Sequence, residues 1–285
     1  MKDVILDTDA YNEIDDQFAI AYLLRSWDRL RCRALCAAPF HNSRSSDPAD
    51  GMEKSYHEIH KILSLMGRED VPVFRGSEQW LPDEKAPVDS PAAREIARLA
   101  GAYSPERPLY VAAIGAITNV ASALLLAPEI KENIVVVWLG GHALHWEHTR
   151  EFNMAGDIAA ARAVFLSGVP LVQLPCMGVV SEFRTTKPEL EYWLKGKNAL
   201  CGYLARNTID EAERYAAGKP WSRVIWDVTA IGWLLGGMTR DREEARRVPS
   251  YGFQYETYPG LPPIRYVWQV DRDRLMGDLF AKLAG

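Results

Sequence analysis

The sequence has few cysteines and none of the patterns that give cysteine a structural role. Its 285 residues include four cysteines and no CxxC pair. Disulfide-dependent secreted domains are rich in cysteine, and structural zinc sites use closely spaced cysteine and histidine pairs. We therefore expect reduced thiols, as in a cytoplasmic protein, at Cys32, Cys36, Cys176 and Cys201.

Long apolar runs are also missing. The longest one, residues 109–128, is interrupted by Gly115, Thr118 and Asn119, whereas a membrane-spanning helix needs about 20 predominantly apolar residues. The apolar run after Asp3 is too short for a signal peptide, and Asp7 follows it. We expect a cytoplasmic protein that does not interact with a membrane.

Positive charge is not in excess, because 33 lysines and arginines face 38 acidic residues and the net charge is −5. This balance argues against binding of nucleic acid through a broad basic surface. The GxSxG, Walker and GxGxxG motifs are absent as well. With 48% hydrophobic residues, a chain of this length can bury a large core without disulfides or metals.

The sequence does contain a regular alternation of apolar runs and amphipathic stretches, which predict strands and helices respectively. The predicted strands cover residues 4–6, 30–38, 71–74, 109–113, 134–139 and 169–174, and the predicted helices cover residues 14–22, 52–66, 91–101, 119–126 and 157–168. Repeated βα units predict an α/β fold with a mostly parallel sheet flanked by helices. No linker or repeat interrupts the pattern, so we expect a single domain over residues 1–285.

The pattern is weaker after residue 175. Residues 189–217 and 227–235 are predicted to be mainly helical, and residues 250–263, rich in proline, glycine and tyrosine, are predicted to be loop and turn. The run from Arg240 to Arg247 mixes both signs of charge, which is typical of a solvated face.

An acidic cluster follows the first predicted strand. Five of the ten residues at positions 7–16 are acidic: Asp7, Asp9, Glu13, Asp15 and Asp16. A helix N-terminus favours one or two such residues, but it does not explain acids at the end of the preceding strand. Carboxylates held close together repel one another, and a divalent cation removes that cost. Oxygen ligands favour Ca²⁺ or Mg²⁺ over zinc.

The D-x-D-x(n)-D-D pattern of this cluster resembles the inosine-uridine preferring nucleoside hydrolase family. Three later segments agree in order: residues 113–119 resemble the family's GPLTN loop, Gly140-Gly141 followed by residues 151–153 resembles its MGG…EFN segment, and Trp226-Asp227 resembles the position of its last metal ligand. The resemblance implies a nucleoside hydrolase-like, Rossmann-like core and cleavage of an N-glycosidic bond.

The same resemblance implies roles for individual residues. Asp9 would bind Ca²⁺ and act as the general base toward water, and Asp16, the Thr118 carbonyl and Asp227 would complete the metal ligands, with Asp7 supporting the cluster from behind. The residues expected to contact the substrate are Asp15 and Asn153 at the ribose hydroxyls, Glu151 near the 5′-hydroxyl, and Asn42 as a further ribose contact.

The sequence also departs from the family pattern. Five residues, 10–14, separate Asp9 from the final aspartate pair where the family has three, and the HGxDG segment is missing. His145 replaces a frequent asparagine. Trp226 stands where the pyrimidine-accepting branch has a histidine that helps the base to leave, and the purine-preferring branch is similar to this chain in having tryptophan there. Trp80 could supply a second aromatic. Core packing explains Trp226 equally well, and it is the stronger explanation for Trp80.

Three histidines, His142, His145 and His148, recur at a spacing of three. On a helix they could bind zinc, but Gly140-Gly141 and Thr149 indicate a loop. A loop that follows a strand favours at least one substrate-lining histidine, and we place His145 in the site.

These observations predict a Ca²⁺-dependent hydrolase that cleaves ribonucleosides and prefers purines. Two alternatives stay open: a divergent relative that hydrolyses another pentoside or glycoside, and a metal-stabilised sugar-binding protein without turnover. The expected partner is a small nucleoside or pentoside, and the sequence leaves open whether the chain forms a homo-oligomer.

Overall fold

An eight-stranded sheet forms the centre of the computed structural model, which describes residues 1–285. The twelve strands of the chain are β1 (Lys2–Thr8), β2 (Leu30–Ala37), β3 (Val73–Phe74), β4 (Leu109–Ala113), β5 (Ile134–Leu139), β6 (Leu171–Leu174), β7 (Arg184–Thr185), β8 (Arg223–Val224), β9 (Thr239–Glu244), β10 (Arg247–Pro249), β11 (Tyr255–Thr257) and β12 (Ile264–Val270). The order in the large sheet is β3-β2-β1-β4-β5-β6-β12-β9. All neighbours in it are parallel except β12 and β9, which confirms the α/β prediction.

The central strands are apolar because the sheet is covered on both faces. Val4 and Leu6 of β1 belong to one buried hydrophobic cluster, and Ile5 belongs to a second cluster. Successive side chains of a strand lie on opposite faces, so a continuous apolar run is what a strand between two helical layers requires. Burial of each such side chain contributes roughly 1.5–3 kcal/mol.

Ten α-helices surround the sheet: α1 (Asp15–Arg25), α2 (Pro48–Met66), α3 (Pro91–Ala100), α4 (Thr118–Leu126), α5 (Phe152–Gly156), α6 (Ile158–Ser167), α7 (Lys187–Leu194), α8 (Ala199–Ala216), α9 (Val228–Leu235) and α10 (Arg272–Ala284). Their ends follow local chemistry. The Ser90 side chain accepts a hydrogen bond from the Ala93 amide, the Asp157 side chain accepts one from the Ala160 amide, and Gly67 ends α2 at φ 63°. None of the helices combines the length and the apolar composition that a bilayer-spanning helix needs.

The C-terminal third differs from its prediction. The charged run that starts at Arg240 forms most of β9, an edge strand antiparallel to β12. An edge strand needs polar side chains to avoid pairing with other chains. Arg246, expected in solvent, is buried and donates to the carbonyls of Pro262, Phe165 and Val169 at 2.9, 3.1 and 2.6 Å. Within residues 250–263, β11 pairs with β10 to form a hairpin.

Candidate active site

The loops after β1, β4, β5 and β6, together with the residues before α9, enclose a cleft of about 240 Å³. Parallel strands end at the same edge of a sheet, which is where α/β proteins bind ligands. The cleft is lined by Asp9, Asn12, Glu13, Asp15, Asp16, Ile114, Leu139, His142, Glu151, Phe152, Asn153, Cys176, Met177, Trp226 and Asp227.

Four buried aspartates form the acidic wall of the cleft. Carboxylate oxygens of Asp15, Asp16 and Asp227 lie within 4.8 Å of one another, and Asp9 follows β1 beside them. Asp15 and Asp16 open α1 and Asp227 precedes α9, so two helix N-termini, which favour negative charge, meet at the cluster.

Burial is the main reason that these acids are hard to ionise. It raises the pKa of Asp9, Asp15 and Asp227 well above the ordinary aspartate value, and neighbouring carboxylates raise the pKa further. Burial also raises the pKa of Asp16 to about 6, although the Thr8 hydroxyl, which donates to its carboxylate, opposes the shift.

The acidic wall fits a bound divalent cation. Asp9 Oδ2 and Asp15 Oδ1 are buried without a hydrogen-bond donor, although buried polar atoms are almost always paired. The donor set consists of hard carboxylate oxygens, which suits Ca²⁺ or Mg²⁺. A cation would satisfy the unpaired oxygens and remove the repulsion.

Asp7 lies behind this wall and does not line the cleft. Its Oδ1 accepts a hydrogen bond from Asn119 Nδ2 at 2.8 Å, and the same amide nitrogen lies 3.1 Å from the Ala37 carbonyl. Burial raises the pKa of Asp7 to about 7. Asn119 therefore joins β1, β2 and α4 beneath the site.

Glu151 and Asn153 form part of the opposite wall. The Glu151 carboxylate accepts hydrogen bonds from the amides of Gly141, Asn153 and Met154 at 2.7, 2.6 and 3.1 Å. Burial raises its pKa to about 7 although these bonds favour the charged form. Asn153 Nδ2 donates to the carbonyls of Ile114 and Leu139 at 3.1 and 3.0 Å, which fixes its side chain across the ends of β4 and β5.

His142 is the histidine that lines the cleft. Its Nδ1 accepts a hydrogen bond from the Met177 amide at 3.3 Å, so the neutral ring carries its proton on Nε2. Burial lowers the pKa of His142, and the nearby His148 lowers it further. The hairpin holds this loop, because the Tyr255 hydroxyl donates to the His142 carbonyl at 3.2 Å and the Phe253 carbonyl accepts from the Thr149 amide at 2.8 Å.

Trp226 lines the cleft and is half-buried against the core. Trp226 therefore both lines the cleft and packs against the core. The structure brings seven of the predicted site residues to the cleft: Asp9, Asp15, Asp16, Glu151, Asn153, Trp226 and Asp227.

Thr118 departs from its predicted place. It is the first residue of α4, does not line the cleft, and donates its hydroxyl to Asp157 at 2.8 Å. Its loop approaches the acids earlier, at Ile114 and Gly115, where an added Cβ would lie 2.9 Å from Asp9 Cγ. The loop comes closest to Asp9 at Gly115, directly after β4. Thr118 lies three residues later and is already the first residue of α4.

Three predicted substrate contacts also lie outside the cleft lining. Asn42 donates from Nδ2 to Asn12 Oδ1 at 2.6 Å, so Asn12 stands between it and the cleft. His145 is exposed and lies against Gly178 on the outer side of its loop. Trp80 lies near Gly156 at the far end of α5.

Sequence reasoning missed several cleft residues. Cys176 and Met177 follow β6 just as Asp9 follows β1, and the strand-end rule was the signal that could have identified them. His142 carried the signal of its loop, which follows a strand, but the sequence did not distinguish it from His145 and His148. Asn12 carried no comparable signal, because the path of its turn decides which polar neighbour faces the cleft.

Comparisons with known proteins identify the family of this chain. A model of the family described as inosine-uridine preferring nucleoside hydrolase matches residues 4–274. The pyrimidine-specific ribonucleoside hydrolase RihA of Citrobacter koseri is 31% identical over 210 residues, 64% of this chain and 66% of that protein. The RihA of Salmonella paratyphi A is 25% identical over 258 residues, 81% of this chain and 79% of that protein.

A solved structure extends the likeness to the whole fold. The purine-preferring ribonucleoside hydrolase from Gardnerella vaginalis superposes with a TM-score of 0.82 at 20% identity, covering 100% of this chain and 98% of that chain. The family match spans nearly all of the sequence, and the fold and the acidic cleft agree with it. The chain therefore belongs to the inosine-uridine preferring nucleoside hydrolase family and is an N-ribosyl hydrolase that cleaves the N-glycosidic bond of ribonucleosides.

Proposed function

We propose that the chain is a Ca²⁺-dependent ribonucleoside hydrolase that prefers purines and uses Asp9 as its general base. The observation that supports it most is the acidic wall, where buried carboxylate oxygens lack any donor within the protein. Such a cluster is costly in a folded chain, and binding a cation accounts for it.

Asp9, Asp16 and Asp227 would hold the cation. All three belong to the expected ligand set; Asp16 and Asp227 lie in the compact carboxylate group, and Asp9 Oδ2 is buried without a donor. Ile114 lines the cleft where Thr118 does not, so we assign the main-chain ligand to the Ile114 carbonyl. When bound, the cation lowers the pKa of a water molecule and orients it.

Asp9 would take the proton from the attacking water. Gly115 leaves room for its carboxylate, since any side chain there would collide with it. Its raised pKa suits a base that works near neutrality once a cation offsets the burial. Asp15 and Asn153 would hold the ribose hydroxyls and Glu151 the 5′-hydroxyl, which orients the sugar as positive charge develops on it.

The purine preference rests on Trp226. An indole has no proton to give to a departing base nitrogen in the way a histidine does, but it offers a wide surface for stacking, worth about 1–3 kcal/mol per base. The named relatives include both pyrimidine-specific and purine-preferring enzymes, so this residue, rather than the relatives, carries the assignment.

The experiment is a product assay on a panel of nucleosides, with Ca²⁺ and with EDTA. We expect free base and ribose from inosine and guanosine, loss of activity in EDTA, and recovery on adding Ca²⁺. Activity that persists in EDTA after exhaustive dialysis would contradict the metal assignment. Release of sugar only from other pentosides would favour a divergent relative that hydrolyses another pentoside or glycoside. Binding without any product would favour a metal-stabilised sugar-binding protein.

Base preference is tested by Trp226→Ala. We expect kcat/KM to fall more for inosine than for uridine, because stacking that strengthens as the base departs stabilises the transition state. Trp80→Ala is the matched control, since Trp80 lies outside the cleft and should not change the ratio between substrates. Equal losses on inosine and uridine would make Trp226 a packing residue.

A further inference from the structure

The five-residue loop between Asp9 and Asp15 is longer than the family pattern and covers one side of the cleft. Its residue Glu13 lines the cleft, and Tyr11 is 39% exposed. A longer loop has more conformational freedom to lose when it is ordered. Asp9 and Asp15 stand at its two ends, where it joins β1 and α1, so its conformation affects the positions of both carboxylates.

Arg44 and Arg223 contact this loop, and Glu211 pairs with both arginines. Together with Glu13 of the loop itself, we call these four charged residues the loop clamp. Arg223 Nη2 lies 2.7 Å from Glu13 Oε2 and 3.3 Å from Glu211 Oε1. Arg44 pairs with the other oxygen of Glu211 and donates to the Tyr11 carbonyl at 3.5 Å. Glu211, on α8, therefore connects the two arginines that contact the loop at Tyr11 and at Glu13.

One ion pair of the loop clamp, Glu211–Arg223, is better shielded from water than an ordinary surface ion pair, while the Glu13 side chain is 42% exposed. The side chains of Glu211 and Arg223 are each 16% exposed. Lys187 of α7 and Glu213 of α8 also form an ion pair, and each of these side chains is 41% exposed. Exposed pairs contribute little, and shielded ones are screened less by solvent and salt. Arg223 also lies three residues before Trp226, so the clamp ties the loop to the segment that carries Trp226 and Asp227.

We infer that Glu211 is a positioning residue, which holds the extended loop against the cleft through Arg44 and Arg223. Glu211 does not line the cleft, so it acts on the substrate only through the residues that it holds. The inference rests on the proposed roles of Asp9 and Asp15. Without Glu211 the loop would have to be ordered when substrate binds. The conformational entropy lost in that ordering would weaken substrate binding.

The test compares Glu211→Gln with Glu213→Gln, two isosteric changes on one helix. In Glu211→Gln we expect faster amide hydrogen exchange over residues 10–14 of the free protein, and a KM for inosine that rises roughly tenfold with a smaller change in kcat. Arg44→Gln should act in the same direction. Glu213→Gln should match the wild type in both measurements.

Equal exchange in Glu211→Gln and Glu213→Gln would overturn the inference. Exchange needs no turnover, so a wild type that hydrolyses no nucleoside would contradict the proposed function while exchange still decides the role of Glu211.

Discussion

The two walls of the cleft hold the same chemical group in opposite ways. On one wall, Glu151 is buried and accepts three main-chain hydrogen bonds. On the other, Asp9 and Asp15 are buried and each keeps an oxygen without any donor. Burial raises the pKa of all three carboxyl groups, so burial alone does not distinguish the walls.

The difference lies in what compensates for the loss of water. Removing a charged group from water costs several kcal/mol unless hydrogen bonds or an opposite charge replace the hydration. The fold supplies that replacement for Glu151 through the start of α5, which fixes the carboxylate in one orientation. The fold does not replace the lost hydration of Asp9 and Asp15. We therefore infer that the partner of these two carboxylates comes from outside the chain.

The largest effect is expected from a substitution at Asp9, the proposed general base in the acidic wall. Asp9→Asn keeps the shape and one oxygen but cannot take a proton, so we expect kcat to fall by at least about 100-fold. Steady-state kinetics at saturating Ca²⁺ measure it. Asp3→Asn is the control, since Asp3 is buried at the other end of β1 and faces Arg31 and Arg33. A near-native kcat in Asp9→Asn would mean that Asp9 serves only as a ligand.

The next effect separates the two walls by their response to metal. A ligand at 100 times its Kd stabilises the folded state by about 2.7 kcal/mol, so Ca²⁺ should raise the melting temperature of the wild type. Asp227→Asn should lose this shift and, in EDTA, should be at least as stable as the wild type because one of several repelling charges is gone. Glu151→Gln should keep the shift. A full Ca²⁺ shift in Asp227→Asn would remove Asp227 from the ligand set.

The smallest effect concerns the wall with the hydrogen-bonded carboxylate. The pKa of Glu151 is raised to about 7 from an ordinary 4.5, so the folded state binds more protons than the unfolded state between these values. The stability that this group contributes is therefore present at low pH and is lost as pH rises toward 7. Between about pH 5 and pH 7 the wild type should lose roughly 2 kcal/mol relative to Glu151→Gln.

Urea unfolding of both proteins across this pH range measures that difference directly. A difference that stays constant with pH would show that the Glu151 carboxylate ionises normally in the folded protein. It would also sharpen the contrast between the walls, because the three amide hydrogen bonds would then fully compensate Glu151 for its burial.

Most of the βα part of the fold could be predicted from the sequence. The bounds of β4 and β5 agree with their apolar runs, and Ser90, Asp157 and Gly67 mark helix ends through short-range hydrogen bonds or a left-handed turn. These features depend on residues that are neighbours along the chain, so local patterns carry them. The same is true of the acidic cluster, whose members at positions 7–16 adjoin the first strand.

Tertiary structure decided the rest, because it depends on contacts between distant segments. Only the folded chain brings Asp227 beside Asp15 and Asp16, places Asn12 between Asn42 and the cleft, and selects His142 rather than His145. β9 is charged like a solvated loop, and only its pairing with β12 makes it a strand. A sequence pattern records which side chains can serve at a strand end, whereas loop paths and long-range packing decide which of them face the cleft.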